Sequence, residues 1–335
     1  MPQFREYQIA AKRVKSLQWH NGQLFDWVGG GNCYHLDGRF EPRHINYAYR
    51  FDLAIMSPSG EYVVLYERQG TKGILLYNGK ILREINRSFY HADVYEYPIA
   101  FVRSEDGREL LVHCPDAYNR LEIEDIATGE RLTAREDRRT EDIFFSRLAS
   151  SPSHNYLLMA GWVWHPWDVI GVFDIQKALL DPTILDGVGE APRTYAEIYA
   201  AAFLDDQTLV MVTSDETDED KETDDPLWNS GPQSIGYYDL LSQKFLSVVR
   251  AEETVGKIMS VGSRHLIGFY EHPKLFDCLT GAVVHRWLEL ATGKETSSIQ
   301  RGIGKIPPYA IDTMHRRFAV AGTDSITVVE IDVDE

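Results

Sequence analysis

The chain is poor in cysteine, in basic residues and in helical periodicity, and each shortage closes off a class of protein. Among 335 residues there are three cysteines, Cys33, Cys114 and Cys278, with no paired spacing. An odd, scattered set argues for reduced, buried thiols and against a disulfide scaffold. Lys and Arg total 34 against 51 Asp and Glu, a formal net charge of −17. Nucleic-acid binding rests on neutralising phosphates with Lys and Arg, so no nucleic-acid partner is expected. No run approaches the ~18 apolar residues of a membrane helix, and Met1-Pro2-Gln3-Phe4-Arg5 lacks the basic-then-apolar pattern of a secretory leader. A cytoplasmic setting without a membrane partner is expected. Helical spacing is sustained best over Asp174-Ile175-Gln176-Lys177-Ala178-Leu179-Leu180, which predicts one short helix in a connection.

Motifs of catalysis are missing as well. The histidines, among them His35, His91, His113 and His272, are scattered singly without His-Glu-x-x-His or paired Cys/His spacing. Gly29-Gly30-Gly31 lacks the Lys-Ser/Thr of a phosphate loop, and there is no Gly-x-Ser-x-Gly elbow. No metal, cofactor or catalytic residue is therefore assigned from sequence.

What the chain does have is a repeat. Seven turns, at Gly22, Gly60, Gly107, Asn155, Asp206, Ser263 and Arg316, are each followed by an apolar run such as Tyr62-Val63-Val64-Leu65-Tyr66 or Thr208-Leu209-Val210-Met211-Val212. A second strand follows each, often closed by a turn whose glycine can take positive φ: Asp37-Gly38, Asn78-Gly79, Thr128-Gly129, Thr280-Gly281. Units of this size match blades of four antiparallel strands, which predicts an all-β, seven-bladed β-propeller as one domain over 1–335. The blades are placed near 14–48, 49–92, 96–136, 142–185, 196–251, 255–290 and 306–335. The last unit runs out after its third strand, and the strand-like stretch 4–9 near the N-terminus is predicted to supply the fourth and close the ring.

On these features the chain resembles the WD40-type and related seven-bladed propellers over essentially its whole length. The match is loose. Trp-Asp is absent from the end of every third strand, where Phe173-Asp174, Tyr238-Asp239, Phe276-Asp277 and Glu124-Asp125 stand instead, and the usual Gly-His pair is absent too. An aromatic followed by Asp can keep the same packing and turn chemistry.

Two loops carry the candidate partner-binding residues. An insertion at 214–233 holds Asp215, Glu216, Asp218, Glu219 and Asp220 and ends near Trp228; over 215–225 it has eight acids and one lysine, −7 of the net −17. Such a segment reads either as an acidic finger for a basic cleft or as a solvated loop. In the preceding unit Trp162-Val163-Trp164-His165-Pro166-Trp167-Asp168 concentrates aromatics, with Trp162, Trp164, His165 and Trp167 as candidates. Its alternative reading has Trp162 and Trp164 filling the gap between blades. Loops between second and third strands share one face of a propeller, so the two segments are expected as neighbours.

The function expected from these features is a non-enzymatic protein-binding propeller with a basic protein partner, in its sharper form an immunity or inhibitor protein that occludes a basic toxin or enzyme. The alternative is a hydrolase or lyase acting in the central pocket, for which Asp52, His91, Glu197 and Asp312 are candidates to reach the axis.

Overall fold

Each blade is apolar on both faces because it is sandwiched between two others, and this decides how its strands read. In the second blade Val63 and Leu65 pack toward blade 1, while the alternate residues Val64 and Tyr66 pack toward blade 3. In the fifth, Leu209 and Met211 face blade 4, and Val210 and Val212 face blade 6. Period-two alternation over two buried faces leaves a near-continuous apolar run.

The computed structural model describes residues 2–218, 220 and 230–333. It is an all-β, seven-bladed propeller of antiparallel blades. The innermost strands, in order around the axis, are Gln18–His20, Leu53–Met56, Ile99–Arg103, the split pair Ile143–Phe144 and Ala149–Ser150, Ala196–Phe203, Ile258–Val261 and Tyr309–Asp312. Among the described residues, seven clusters of buried apolar side chains fall one at each interface between neighbouring blades, the seventh joining blade 7 to blade 1.

The ring closes as expected. Gln3–Ala10 runs antiparallel to Ser325–Asp332, with Phe4 opposite Ile331 and Ile9 opposite Ile326, so the N-terminal strand is the outermost strand of blade 7. Two blades are thinner than the repeat implied. In blade 3 the fourth strand shrinks to a single bridge between Glu124 and Arg131. In blade 4 the chain leaves the third strand for a helix, Ile175–Leu180, N-capped by Asp174, and returns as a bridge between Val172 and Glu190.

The aspartates that replace Trp-Asp do perform turn chemistry. Asp125, Asp174 and Asp239 accept the N–H three residues on, from Thr128, Lys177 and Ser242, and Asp277 accepts those of Leu279 and Thr280. Phe173 and Phe276 are fully buried beside them. Gly281 is required where it stands, with φ +74° and a Cβ position that would lie 1.8 Å from the Arg250 carbonyl oxygen. In blades 4 and 6 the left-handed residue of the first turn is His154 or Gly262, one position earlier than the sequence placed it.

Candidate functional site

The face that carries the second-to-third-strand loops and the connections between blades, here the upper face, is crossed by one segment. After Trp287 of blade 6 the chain stays on blade 6 at Thr292, whose hydroxyl donates to the Phe269 carbonyl at 2.6 Å, and at Gly293, which bridges Glu271. It then spans the ring. The Ser298 N–H and hydroxyl reach the Asp168 carboxylate of blade 4, Ile299 bridges Tyr95, the Gln300 N–H donates to the Val94 carbonyl at 2.6 Å, and Arg301 pairs with Asp93 at 2.8 Å. Only then does it return to blade 7 at Tyr309. Thr292, Glu295, Ser298 and Gln300 are buried although they belong to no strand.

On one side of this segment lies a pocket of about 420 Å³ between blades 5 and 6. Its described walls hold the carboxylates of Glu197, Asp215, Glu216 and Glu253, with the hydroxyl residues Tyr199, Thr213, Ser214, Thr254, Tyr270, Thr296 and Ser297, and no Lys, Arg or His. Glu197 ties the two candidate loops together at their roots. One of its oxygens accepts the Asp168 N–H at 2.7 Å and the other the Ser214 hydroxyl at 2.9 Å. Burial raises the Glu197 carboxyl above its ordinary range, and nearby Asp168 adds to this against those two hydrogen bonds. Glu253 is the opposite case: against burial, Arg286 and Lys274 hold it low.

On the other side is the axial cavity, about 430 Å³, bounded by the starts of the inner strands of blades 1, 2, 3 and 7, Leu148 of blade 4 and Lys257 just before that of blade 6. Here both signs of charge appear: Lys15, Arg68, Lys257 and Lys305 against Asp52 and Glu96. Arg68 is committed to Glu96 at 3.2 Å and to Glu295 at 3.5 Å, and Glu295 also meets Arg147 at 3.6 Å. Against its complete burial, Arg68, Lys257, Arg147 and the Gln300 amide hold the Glu96 carboxyl below its ordinary range.

The structure sorts the sequence candidates. Trp162 and Trp167 are not in a loop: they belong to long strands, Tyr156–Val163 and Trp167–Asp174, joined by a turn over 164–166. Trp162 is 3% exposed and stacks on Phe144 with ring centroids 3.8 Å apart, so its aromatic area is spent inside the molecule. Trp164 is 43% exposed and meets Trp162, Phe144 and His91 edge-on. His165 is exposed at the turn with φ 91°, and Trp167 is half-buried. The acidic run begins on a strand, since Thr208–Thr217 carries Asp215 and Glu216 at its exposed end. The Asp218 N–H donates to the Tyr195 carbonyl at 2.7 Å, and Asp220 is exposed. Glu219 and Trp228 lie outside the described residues.

The candidates for the axis separate too. Asp52 lines the axial cavity, Glu197 the acidic pocket, and His91 packs edge-on against Tyr90. Asp312 pairs with His315 and Arg317 at the far end of the inner strand of blade 7. The Asp168 carboxylate accepts the Ser298 N–H.

Sequence reasoning missed one cluster of ligand type. Cys33 on the strand Asn32–Tyr34 and His35 just past its end come together with Glu41 across the Asp37-Gly38 turn, and Cys-x-His before such a turn was the available signal. His35 Nε2 lies 2.9 Å from Glu41 and 3.9 Å from Cys33 Sγ. Its Nδ1 faces two donors, Gln23 Nε2 at 3.3 Å and Arg39 Nη2 at 3.4 Å, so Nδ1 accepts and Nε2–H donates to Glu41. The Cys33 thiol, pushed up to about 11 by burial and by Glu41, is hydrogen-bonded to Gln23 Oε1. The three residues could hold a soft divalent metal only by giving up this hydrogen-bonded arrangement.

Among the described residues no helix is long and apolar enough to cross a membrane. No family model matches the chain, and no curated protein matches it either.

Proposed function

We propose that this chain is a non-enzymatic, WD40-like protein-binding propeller whose upper face grips a basic partner. The observation that carries the reading is the pocket walled by Glu197, Asp215, Glu216 and Glu253 with no cationic side chain among its described lining. Glu253 is already engaged by Lys274 and Arg286, so Glu197, Asp215 and Glu216 set the field that an incoming Lys or Arg would meet. The acidic run over 215–225 raises the rate at which a basic protein arrives, and Trp164, at the tip of blade 4, offers exposed, rigid apolar area. The same complementarity supports the sharper form, an immunity or inhibitor protein that covers a basic toxin or enzyme. Kinship with WD40-type propellers is supported by the aromatic-Asp pairs and their turns.

The test is calorimetric titration with a short arginine-rich peptide and a matched acidic one, at about 0.05 M and about 0.5 M salt, where screening lengths differ severalfold. The basic peptide is expected to bind at low salt and weaken at least tenfold at high salt and in a Glu197→Gln, Asp215→Asn, Glu216→Gln variant. Binding that the triple variant leaves intact, or no binding at all, defeats the reading. Affinity capture at the same two salt concentrations then identifies the partner.

A further inference from the structure

The geometry points to the axial cavity as a binding site for a small carboxylate that also carries a hydroxyl or amino donor, seated against Gln300, Gln69 and Lys257. This goes beyond the acidic pocket and stands independently of it. Gln300 is 1% exposed and lines the cavity with its amide near the Glu96 carboxylate, yet neither amide atom completes a hydrogen bond; Gln69, also in the lining, leaves its buried Nε2 without a partner. Buried amides in folded proteins are nearly always satisfied, and exceptions that line a cavity mark a place where something else supplies the partner.

The pattern of unmet groups specifies that partner. Two amide nitrogens and the Lys257 ammonium border one cavity, an arrangement of donors that suits a carboxylate. One unmet acceptor, Gln300 Oε1, asks for a donor on the same ligand. Arg68 is held by Glu96 and Glu295, so Lys257, which also faces Glu96, carries the remaining positive charge with Lys15 and Lys305 at the rim. A cation-rich lining is local, since the chain as a whole is at −17. At about 430 Å³ the cavity falls within the ordinary range for small-molecule sites. It is also built in advance. The Gln300 backbone is fixed by its bond to Val94, by the Ile299–Tyr95 bridge and by the Arg301–Asp93 pair, so little ordering remains for a ligand to induce.

The test is calorimetric titration of the full chain with L-lactate, L-glutamate and citrate, with inorganic phosphate as the donor-poor anion. At least one of the carboxylates is expected to bind, and Gln300→Met and Lys257→Met are each expected to weaken it tenfold or more. Asp215→Asn/Glu216→Gln, confined to the other pocket, is expected to leave it unchanged, which separates this result from the fate of the basic-partner reading. Lys257 is only half-buried, so its variant remains informative if Gln300→Met does not fold. Failure of all three carboxylates to bind, binding of phosphate alone, or binding indifferent to both methionine variants overturns the assignment.

Discussion

The Asp168 carboxylate accepts both the backbone N–H, at 2.9 Å, and the hydroxyl of Ser298, a residue 130 positions further along the chain. This contact pins the crossing segment to blade 4. Asp168 is 1% exposed, and burial pushes its carboxyl above the ordinary range, with Arg147 and Ser298 opposing. A carboxyl with a raised folded pKa contributes its full stability below the unfolded pKa and loses it as pH rises through the folded value. Asp168→Asn does not titrate. Its stability relative to the parent is therefore expected to improve from about pH 4 upward, read from urea midpoints between about pH 3.5 and about pH 8. A difference that stays flat or reverses with pH sinks the idea.

Arg87 is a buried cation held by carbonyl groups. Its guanidinium donates to Gly70, Ala92 and Tyr95 at 2.7, 2.8 and 3.0 Å and lies over the rings of Tyr95 and Tyr97. Arg87→Ala leaves three carbonyls unmet and is expected to cost about 3 kcal/mol or more. Arg87→Lys keeps the charge but not the fork, so it should recover only part of the loss in chemical denaturation. Full rescue by lysine would argue against the fork.

The tryptophans of blade 4 should divide by role. Trp162→Ala removes a stacked, buried ring and is expected to cost about 3–5 kcal/mol of stability. Trp164→Ala should stay within about 1 kcal/mol, as a surface change does, while weakening partner binding. Thermal melts of the two variants, beside the peptide titration, separate these expectations; a large loss of stability at Trp164 would contradict them.

Removal of residues 2–10 exposes the full edge of Ser325–Asp332 and takes Ile9 out of the cluster between blades 7 and 1. An unpaired strand of that length pairs with other chains. Light scattering and size-exclusion chromatography are expected to show association and a lowered melting temperature. A monodisperse, equally stable truncation would mean that the strand is not the clasp.

The blades were legible because double-sided burial writes long apolar runs, such as 62–66, that glycine and Asx turns punctuate. The N-terminal clasp followed from counting strands in the last unit. The thin outer edges of blades 3 and 4 were harder to see, since Arg131 and Glu190 make one bridge each and leave no alternation to read. The two pockets were hidden for a different reason. Their shared wall, around Thr296–Gln300, is polar, irregular and followed by Pro307-Pro308, a composition that reads as solvated loop; its burial arises only from distant partners such as Asp168 and Tyr95. Trp162 shows the converse limit, because an aromatic run looks the same whether it packs inward or waits for a partner.

The crossing segment also changes what kind of polymer this is. A repeat array in which every unit touches only its neighbours behaves as a one-dimensional chain, and its units can be lost one at a time. Here the connection between blades 6 and 7 bonds to blade 4 through Asp168, to the blade 2–3 link through Val94 and Tyr95, and to blade 2 through Arg68. These are struts across the hoop rather than joints around it. Loosening one blade therefore loads the far side of the ring, and the seven units are expected to unfold as a single cooperative body.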